Sequence, residues 1–394
     1  MLGFDPKLIF VTNEALMVGV EKEIGDDVFR RLGGCDRVGK VLGSKEEEWT
    51  AQELAPLVLP PALPAEKICL GISCVNVPRD FGSRLARDLK KIVKGMGGRL
   101  KFIEPRKGAR LNSAQVIFND LLSEPHAELT IINNGKTHYA VKTVLVQDIQ
   151  SYELRDTARP ARNARVGMLP PKLAQIMVNI SASHYSAHGH DARNPLTVFD
   201  PFCGTGTILQ EAWLMGYQAI GTDESKEMIN ATSHNVVWIK DKFSPDMDLY
   251  PRYSLHDVRM PFSTEMSGSI DVIATEPHLG KPLTSPLPQR EMNKEIEMLG
   301  KLYLAAFENL KTVLKPGGSV VFLLPAWRSE RRSDAFYLLP PALLDAISAL
   351  GYIKGYVLPD ALDGAWKRDD RSSMIYARPD ALVGRELTLW KLAG

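Results

Sequence analysis

Short hydrophobic runs alternate with amphipathic stretches along the second half of the chain. The runs predict strands, and the stretches between them predict helices with one apolar face. Such alternation is typical of a mostly parallel sheet with helices on both of its faces. The predicted strands are 196–200, 218–222, 252–256, 270–275, 319–324, 352–358 and 373–377, and the predicted helices are 207–216, 225–240, 291–314 and 340–350.

The first half of the chain predicts a differently ordered set of elements. Residues 8–20 have the pattern of a strand pair, residues 28–42 that of a helix with a return strand, and the proline-rich run 59–64 marks a domain boundary. The order after it is strand, helix, strand, helix, strand, strand, with Asn134-Gly135 as a strong hairpin turn. These elements are expected at 67–75, 81–96, 100–103, 114–122, 128–132 and 137–146.

Length and composition describe an ordinary soluble protein of two or three domains. The 394 residues exceed one typical domain, and 44% of them are apolar. No apolar run reaches the roughly 18 residues that span a bilayer, and the first residues lack a signal-peptide pattern, so a cytoplasmic protein without membrane contact is expected. The four cysteines form no Cys-x-x-Cys pair, which argues against a zinc ribbon or a redox dithiol. The oligomeric state stays open, with a monomer as the default.

The net charge of +1 hides a strongly basic segment. Residues 66–165 contain 18 Lys and Arg against 10 Asp and Glu. A basic segment joined to a neutral or acidic one suggests a nucleic-acid-binding module, although many solvated faces are equally basic. The helix predicted at 81–96 combines an apolar face with a basic exposed side, which is formed by Arg84, Arg87, Lys90, Lys91 and Lys94.

A second boundary falls at residues 151–171, where arginines alternate with prolines. Taken alone, this segment is a basic linker and disorder would be its default state. Its end nevertheless leads directly into an amphipathic helix that carries Leu173, Ile176, Met177 and Ile180. The arginines of the segment are Arg155, Arg159, Arg162 and Arg165.

Residues 198–223 carry the most specific chemistry of the chain. A short apolar strand ends at Asp200, and Gly204 and Gly206 allow the backbone to turn tightly against a ligand before a helix begins. Asp223 ends the next strand, where a carboxylate can accept hydrogen bonds from ribose hydroxyls. The segment therefore predicts a nucleotide-cofactor pocket, with an ordinary strand-to-helix connection as the alternative.

The glycine turn differs from that of dinucleotide-binding enzymes, which need Gly-x-Gly-x-x-Gly. Leu209 stands at the third glycine position. The stretch Asp200-Pro201-Phe202-Cys203-Gly204-Thr205-Gly206-Thr207 instead resembles motif I of the S-adenosylmethionine-dependent methyltransferases that modify exocyclic amines of nucleobases. The resemblance implies S-adenosylmethionine as the cofactor, with the ribose at Asp223 and the adenine amino group at Asp257. Cys203 is interpreted as a small packing residue rather than a nucleophile.

The resemblance also implies an acceptor loop after the fourth strand. Enzymes of this type carry (Asp/Asn)-Pro-Pro-(Tyr/Phe) there, whose acceptors bind the amine hydrogens and whose ring stacks on the base. The chain has Thr275-Glu276-Pro277-His278 at this position, and three of the four residues depart from the pattern. Our hypothesis is that Glu276 supplies the acceptor and that His278 stacks on the purine.

Three further histidines, His184, His188 and His190, precede the first strand of the second half. Three nearby histidines can bind a metal, but no fourth ligand is apparent. A solvated loop is the favoured interpretation, and the proposed chemistry requires no metal.

The order of segments over nearly the whole chain resembles the tRNA guanosine N2-methyltransferases that carry an RNA-binding THUMP domain and modify position 10. The most specific matches are the stretch 146–152, Arg155-Asp156 with Arg159-Pro160, the run 167–174 from Gly-Met-Leu-Pro-Pro to Lys-Leu-Ala, and motif I. The resemblance implies a ferredoxin-like domain at 1–64, a THUMP domain at 65–150, a linker at 151–171, and at 172–394 a Rossmann-like methyltransferase domain with a seven-stranded, mostly parallel sheet.

In this family the N-terminal half grips the tRNA and presents a base to the catalytic pocket. The expected catalytic residues are those of the acceptor loop, 275–278. The expected RNA-binding residues are the five basic residues of helix 81–96 together with Arg155, Arg159 and Arg162. The expected cofactor-binding residues are Pro170, Lys172, Asp200, Pro201, Cys203, Gly204, Thr205, Gly206, Thr207, Asp223, Glu224, His256 and Asp257.

Two alternatives remain open at this stage. An enzyme with the same cofactor and acceptor loop can act on DNA adenine or cytosine amines, although the basic THUMP-like half argues against this. The departures at Thr275 and His278 are also compatible with an RNA-binding protein that keeps cofactor affinity but has lost activity.

Overall fold

A computed structural model describes residues 7–162, 168–186, 195–243, 247–329, 335–358 and 371–393. The chain divides into two compact units. The N-terminal unit comprises Leu2–Arg31 and Cys35–Ser151, and the C-terminal unit comprises Leu32–Gly34 and Tyr152–Gly394.

The N-terminal unit contains a hairpin and a five-stranded sheet. The strands follow the order β3-β7-β6-β4-β5, in which β4 runs parallel to β5 and β6, and β7 runs antiparallel to β3 and β6. The strands are β1 (Lys7–Val11), β2 (Leu16–Gly19), β3 (Arg37–Lys45), β4 (Lys67–Val75), β5 (Arg99–Ile103), β6 (Ala127–Asn133) and β7 (His138–Val146), and the helices are α1 (Asp26–Phe29), α2 (Ala51–Val58), α3 (Arg79–Gly95) and α4 (Ser113–Phe118).

Elements on both sides of residue 64 share this sheet and its core. Strand β3 pairs with β7, and Leu54 of α2 packs in one cluster with Leu70 of β4 and Leu89 of α3. The proline-rich run 59–64 therefore connects two parts of one compact unit, and the expected domain boundary falls inside it. The predicted hairpin at Asn134-Gly135 is confirmed as the connection between β6 and β7.

The C-terminal unit is built on one large sheet. Its strands are β8 (Thr197–Asp200), β9 (Gln218–Asp223), β10 (Arg252–Leu255), β11 (Ile270–Thr275), β12 (Leu314–Arg328), β13 (Phe336–Leu338), β14 (Tyr352–Gly355), β15 (Met374–Tyr376) and β16 (Val383–Leu392). Helix α5 (Ile149–Thr157) leads into the unit, and its other helices are α6 (Pro171–Ser186), α7 (Thr207–Leu214), α8 (Lys226–Phe243), α9 (Gln289–Val313) and α10 (Pro341–Ala349).

The main path of this sheet has seven strands in the order β10-β9-β8-β11-β12-β16-β14. The first five are parallel, and β16 runs antiparallel to both of its neighbours. This confirms the predicted Rossmann-like, mostly parallel sheet, to which β13 and β15 add short edges. Strand β16 was not predicted; the sequence pattern ended at 373–377, which is only the short strand β15.

Alternation along the strands explains how the sheet buries both of its faces. Phe199, Ile273 and Phe322 pack in one cluster with residues of α9 and α10. Their chain neighbours Val198, Val272 and Val321 point to the opposite face and pack with residues of α6 and α7. Because side chains alternate with a period of two, strands buried on both faces are apolar at most positions rather than at every second one.

Candidate active site

The glycine turn lies between β8 and α7, at the carboxyl edge of the parallel strands. Gly204 has φ +52° and Gly206 has φ +81°, a left-handed backbone that favours glycine, and Gly206 is the N-cap of α7. A Cβ atom at Gly206 would lie 3.0 Å from the Thr232 side chain. The sequence thus requires glycine here for both backbone conformation and space.

Asp223, at the end of β9, fixes the shape of this turn. Its carboxylate accepts hydrogen bonds from the backbone N–H of Gly204 (2.9 Å) and of Ser225 (2.9 Å). The Thr232 hydroxyl donates to the Gly204 carbonyl oxygen at 2.7 Å. The Asp223 side chain stays half-buried, and a carboxylate has lone pairs for more than two donors. It can therefore hold the turn and still accept from a ligand.

Asp200, at the end of β8, is joined to the acceptor loop. Its Oδ1 accepts from the Thr275 hydroxyl at 2.6 Å and from the Phe202 N–H at 3.1 Å. Asp200 is only 2% exposed. Burial raises the pKa of Asp200 to about 7, and the negative charges of Asp223 and Glu276 add to this, against the two hydrogen bonds. Thr275, the first residue of the acceptor loop, therefore faces inward, and its hydroxyl proton is used in the hydrogen bond to Asp200 of motif I.

Glu276, the second residue of the loop, is paired with a cation from β16. The Arg385 Nε donates to Glu276 Oε1, and both side chains are largely buried. Burial raises the pKa of Glu276, while the adjacent Arg385 guanidinium opposes the shift. Arg385 thus holds a desolvated carboxylate in one place beside Asp200.

The end of the loop is attached to α9. The Tyr303 hydroxyl donates to the His278 carbonyl oxygen at 2.6 Å, while Pro277 is buried and the His278 side chain is exposed. Gly280 has φ +93°, and a Cβ there would lie 3.1 Å from Glu295 Oε2. The backbone of the loop is therefore fixed, while the imidazole of His278 is exposed at the end of the loop.

A third group of polar residues lies at the ends of β9 and β10. Arg259 Nε bonds both oxygens of Asp257, at 2.8 and 3.0 Å, and Arg259 Nη2 reaches Glu224 Oε2 at 2.9 Å. These bonds from Arg259 lower the pKa of Asp257. His256 stacks on Phe262, with ring centroids 4.4 Å apart. The structure thus brings Glu224 and Asp257 together, but the oxygens expected to face adenine are engaged by Arg259.

The remaining cofactor candidates support the turn from behind or border it. Pro201, Cys203 and Thr207 are buried, and the Cys203 thiol, whose pKa burial raises well above its ordinary value, packs in the apolar cluster behind the turn. Pro170 is buried and its carbonyl accepts from the Ala174 N–H as α6 begins. Thr205 is half-exposed in the turn, and Lys172 is exposed with its Nζ 5.3 Å from the Tyr152 ring centroid.

Two of the arginines expected to contact RNA are buried inside the C-terminal unit. Arg155 Nε pairs with Glu211 Oε1 at 2.8 Å, with side chains 7% and 1% exposed. Arg159 Nη1 donates to the Thr207 hydroxyl at 2.6 Å. The prediction of phosphate contacts is wrong for both, because their guanidinium groups bind helix α7. They fasten residues 152–162 to the helix that starts at the glycine turn, so the segment is ordered rather than a free linker.

The exposed basic residues fit the prediction better. In the N-terminal unit, the basic residues predicted on α3 are all exposed, with local ion pairs from Arg84 to Asp80 and from Lys91 to Asp88. In the C-terminal unit, Arg162 is exposed and donates to the Thr157 carbonyl oxygen. Arg165, Gly167, His188 and His190 lie outside the described residues.

Sequence reasoning missed several residues that shape the site. Asn235 is fully buried on α8 and donates to the carbonyl oxygens of Thr205 and Ala161, both at 2.9 Å. Asparagine has a low helix propensity, so an asparagine inside a predicted helix can indicate a structural role. Arg385 and Arg259 left no such signal, because each is an ordinary charged residue until its partner is known.

The described residues contain neither a membrane-spanning helix nor a candidate metal cluster. No helix in that part of the chain is long and apolar enough to cross a membrane. Within the same ranges, no group of three His, Cys, Asp or Glu side chains could hold a metal ion.

Comparisons with known proteins agree with this architecture. Residues 159–331 match the family described as UPF0020, RMKL-like, methyltransferase domain. A tRNA (guanine(10)-N2)-dimethyltransferase from Pyrococcus abyssi is 24% identical over 314 residues, which cover 78% of each chain. A protein of the same name from Methanocaldococcus jannaschii is 26% identical over 60% of this chain and 57% of its own.

A solved structure, TrmN from Thermus thermophilus, has the same fold, with a TM-score of 0.50 and 15% identity over 95% of this chain and 91% of its own. The chain therefore carries an RMKL-like methyltransferase domain at residues 159–331 and is similar over most of its length to the tRNA (guanine(10)-N2)-dimethyltransferases, as its motifs predicted.

Proposed function

We propose that this protein transfers a methyl group from S-adenosylmethionine to the exocyclic N2 of a guanosine in tRNA, at position 10. The observation that carries the proposal is the bond between Thr275 and Asp200, which joins the acceptor loop to the glycine turn. A nucleobase amine must meet the methyl donor in line, so the two half-sites must be held together.

The residues at the carboxyl edge of the sheet fit the cofactor. The nearest non-neighbouring atom to a Cβ built on Gly204 is 4.0 Å away, so the turn is open on that side. Asp223 supplies a fixed acceptor for ribose hydroxyls, and Glu224 and Asp257 add acceptors on the neighbouring strands. When bound, S-adenosylmethionine supplies the electrophilic methyl group. Gly204, Thr205 and Asp223 would hold it.

Glu276 is the proposed acceptor of the amine hydrogens. The lone pair of an exocyclic amine is conjugated with its ring, so a hydrogen-bond acceptor that orients the amine also increases its nucleophilicity. Glu276 stands where the family has a residue next to its acceptor, and Arg385 fixes its carboxylate. His278, exposed at the end of the loop, would stack on the extruded base.

The N-terminal unit is the proposed tRNA-binding part. Its α3 presents the exposed basic side, and neutralising RNA phosphates with these residues would make binding salt-dependent. The THUMP domain expected at 65–150 and the ferredoxin-like domain expected at 1–64 remain proposals. Because β3 and α2 belong to the same compact unit as β4–β7, a THUMP-like domain would include residues from both ranges.

The test is a methyl-transfer assay with purified protein, radiolabelled S-adenosylmethionine and an unmodified tRNA transcript. Digestion and mass spectrometry should identify N2-methylated or N2,N2-dimethylated guanosine at position 10, and a transcript with adenosine at that position should not be labelled. Labelling of DNA instead of tRNA would favour a DNA amino-methyltransferase. Binding of S-adenosylmethionine without methyl transfer to any nucleic acid would support the alternative of an RNA-binding protein that has lost activity.

The role of Glu276 needs its own variant. Glu276→Gln keeps the size of the side chain but removes its charge and one acceptor oxygen, and transfer should fall by about tenfold or more because a neutral amide is the weaker acceptor. Glu297→Gln, on the exposed side of α9 beside Lys301, is the matched control and should retain the rate. An unchanged rate in Glu276→Gln, with the control also unchanged, would remove Glu276 from the mechanism.

A further inference from the structure

A cavity of about 220 Å³ opens at the start of α9. It is bordered by Gln289 and Met292 in the first turn of the helix, and by Arg328 and Ser329 at the end of β12. Tyr337 of β13 closes another side. Thr275 of β11 lies opposite Phe322 of β12 in the sheet, and Arg328 lies six residues after Phe322. At about 3.3 Å per strand residue, the cavity lies roughly 20 Å along β12 from the acceptor loop. It is separate from the transfer site.

Arg328 brings a buried positive charge to this cavity. The residue is 6% exposed, and in the described part of the chain its Nε–H has no acceptor and no ion pair joins it to a carboxylate. One terminal nitrogen donates to the carbonyl oxygens of Arg378 and Pro379, and the guanidinium lies 5.0 Å from the Phe336 ring centroid. Buried charges are ordinarily paired, so Arg328 retains capacity for an anion.

The start of α9 adds a second feature that favours an anion. This helix has 25 residues, and its N-cap Pro288 provides no side-chain cap. The Gln289 side chain donates to Asn293 on the same helix, 3.0 Å away. The N–H groups of Glu291 and Met292 both donate to the Pro288 carbonyl oxygen at 2.9 Å, so the N–H groups of Gln289 and Arg290 are those that face the end of the helix. These two groups and the positive end of the helix dipole both attract negative charge. The start of α9 and the Arg328 guanidinium therefore border the same cavity, and both favour an anion there.

We propose that this cavity binds a phosphate group, and that the phosphate belongs to the RNA backbone outside the transfer site. Phosphate oxygens would accept from the Arg328 guanidinium and from N–H groups of the first turn of α9. The assignment of the phosphate to RNA rests on the proposed function, whereas the preference of the cavity for phosphate does not.

Gln289→Glu is the informative variant, with Met298→Glu as its control. A glutamate at the first position of a helix favours folding through the helix dipole but repels a phosphate in the cavity. Met298 is an exposed residue of the same helix, nine positions further on and hence on the opposite face, and its replacement makes the same charge change. Arg328→Gln removes the buried charge directly, but it can also affect folding, so Gln289→Glu decides.

The first measurement is equilibrium binding of fluorescent, unmodified tRNA without S-adenosylmethionine over a range of salt concentrations. Gln289→Glu should weaken binding by about tenfold and reduce the salt slope by about one, while Met298→Glu should match the wild type. The second is the thermal unfolding midpoint in inorganic phosphate, measured against sodium chloride of equal ionic strength. Phosphate should raise it for the wild type and Met298→Glu more than for Gln289→Glu.

Each outcome decides a part of the proposal. If Gln289→Glu lowers both the affinity for tRNA and the rise of the unfolding midpoint in phosphate, the result supports a phosphate site that RNA occupies. If it lowers only the rise in inorganic phosphate, the result supports the site and overturns its assignment to RNA. Equal behaviour of all proteins in both measurements overturns the site. Should none of the proteins bind tRNA, the proposed function fails, and the inorganic phosphate measurement still decides what the cavity binds.

Discussion

Thr275 donates a 2.6 Å hydrogen bond to Asp200, and this bond joins the ends of β11 and β8 beneath the candidate site. In the family pattern, an acidic or amide residue at position 275 would face the substrate. Here the position faces the protein, and the carboxylate lies on motif I instead. The departure from the pattern is therefore a rearrangement of partners, and our proposal assigns the role of acceptor to Glu276, which Arg385 holds in place.

Thr275→Val should destabilise the C-terminal unit, because the valine cannot donate to the buried Asp200 carboxylate. The expected loss in the free energy of unfolding is about 1–3 kcal/mol, measured by urea denaturation. Thr275→Ser keeps the hydroxyl and should recover most of the loss. Equal destabilisation by Val and Ser would show that packing of the methyl group, rather than the hydrogen bond, matters here.

The protonation of Asp200 should make stability depend on pH. Its pKa rises from an ordinary 3.8 to about 7 on folding, so the folded state holds the proton more tightly than the unfolded state does. The free energy of unfolding should therefore fall as pH rises from about 4 to about 7, with the full loss present above that range. Urea denaturation of Asp200→Asn should show a flatter dependence over the same window. A dependence identical to the wild type would contradict the assignment.

Arg385→Gln should impair both folding and catalysis, because it leaves the Glu276 carboxylate buried without its cation. Removal of one partner of a buried ion pair costs about 3–5 kcal/mol, and without Arg385 the pKa of Glu276 should rise further. The double variant Glu276→Gln with Arg385→Gln has no buried charge and should regain part of the stability, measured by urea denaturation, without regaining methyl transfer. Recovery of transfer in the double variant would argue against Glu276 as acceptor.

Arg155→Met should weaken the C-terminal unit through Glu211 rather than through RNA. The pair is buried, and Arg155→Met removes the cation bonded to Glu211 while Arg159 stays nearby, so the expected loss is at or below about 3–5 kcal/mol. Arg162→Ala, at an exposed position, should change the free energy of unfolding by less than about 0.5 kcal/mol. If Arg155→Met kept full stability but lost tRNA affinity, Arg155 would be an RNA contact after all.

The exposed basic side of α3 should determine part of the salt dependence of tRNA binding. Replacing Lys90 and Lys94 with Gln removes two charges, so the slope of log affinity against log salt should decrease by about 1.5. Replacing Lys242 and Lys301, exposed lysines of the C-terminal unit, is the charge-matched control and should leave the slope unchanged. Equal slopes in both variants would place the RNA elsewhere.

The parts of the fold that local pattern determines could be predicted from the sequence. Strands β8, β9 and β11 each contain a short apolar run and end in residues of the candidate site, and their predicted bounds agree with the structure to within one residue. Strand β16 was not predicted, because Arg385 and Glu386 interrupt its apolar pattern. Glu386 is fully buried against Arg371, a partner that the sequence alone does not reveal.

The same limit explains the wrong assignment of Arg155 and Arg159. Arginines between prolines have the composition of a solvated linker, and their burial depends on Glu211 and Thr207, which lie about 50 residues further along the chain. Charge counts cannot distinguish a guanidinium that faces solvent from one that is paired inside a domain. The exposed basic residues of α3, together with Arg162, remain predicted contacts for RNA phosphates.

The place of β16 in the sheet has a consequence for the order in which the site is assembled during synthesis. This strand inserts between β12 and β14 and carries Arg385, which lies 109 positions after its partner Glu276. While a ribosome is still translating residue 380, the acceptor loop has left the exit tunnel without its cation. The nascent protein would therefore complete the Glu276–Arg385 pair only after β16 has been translated and has entered the sheet.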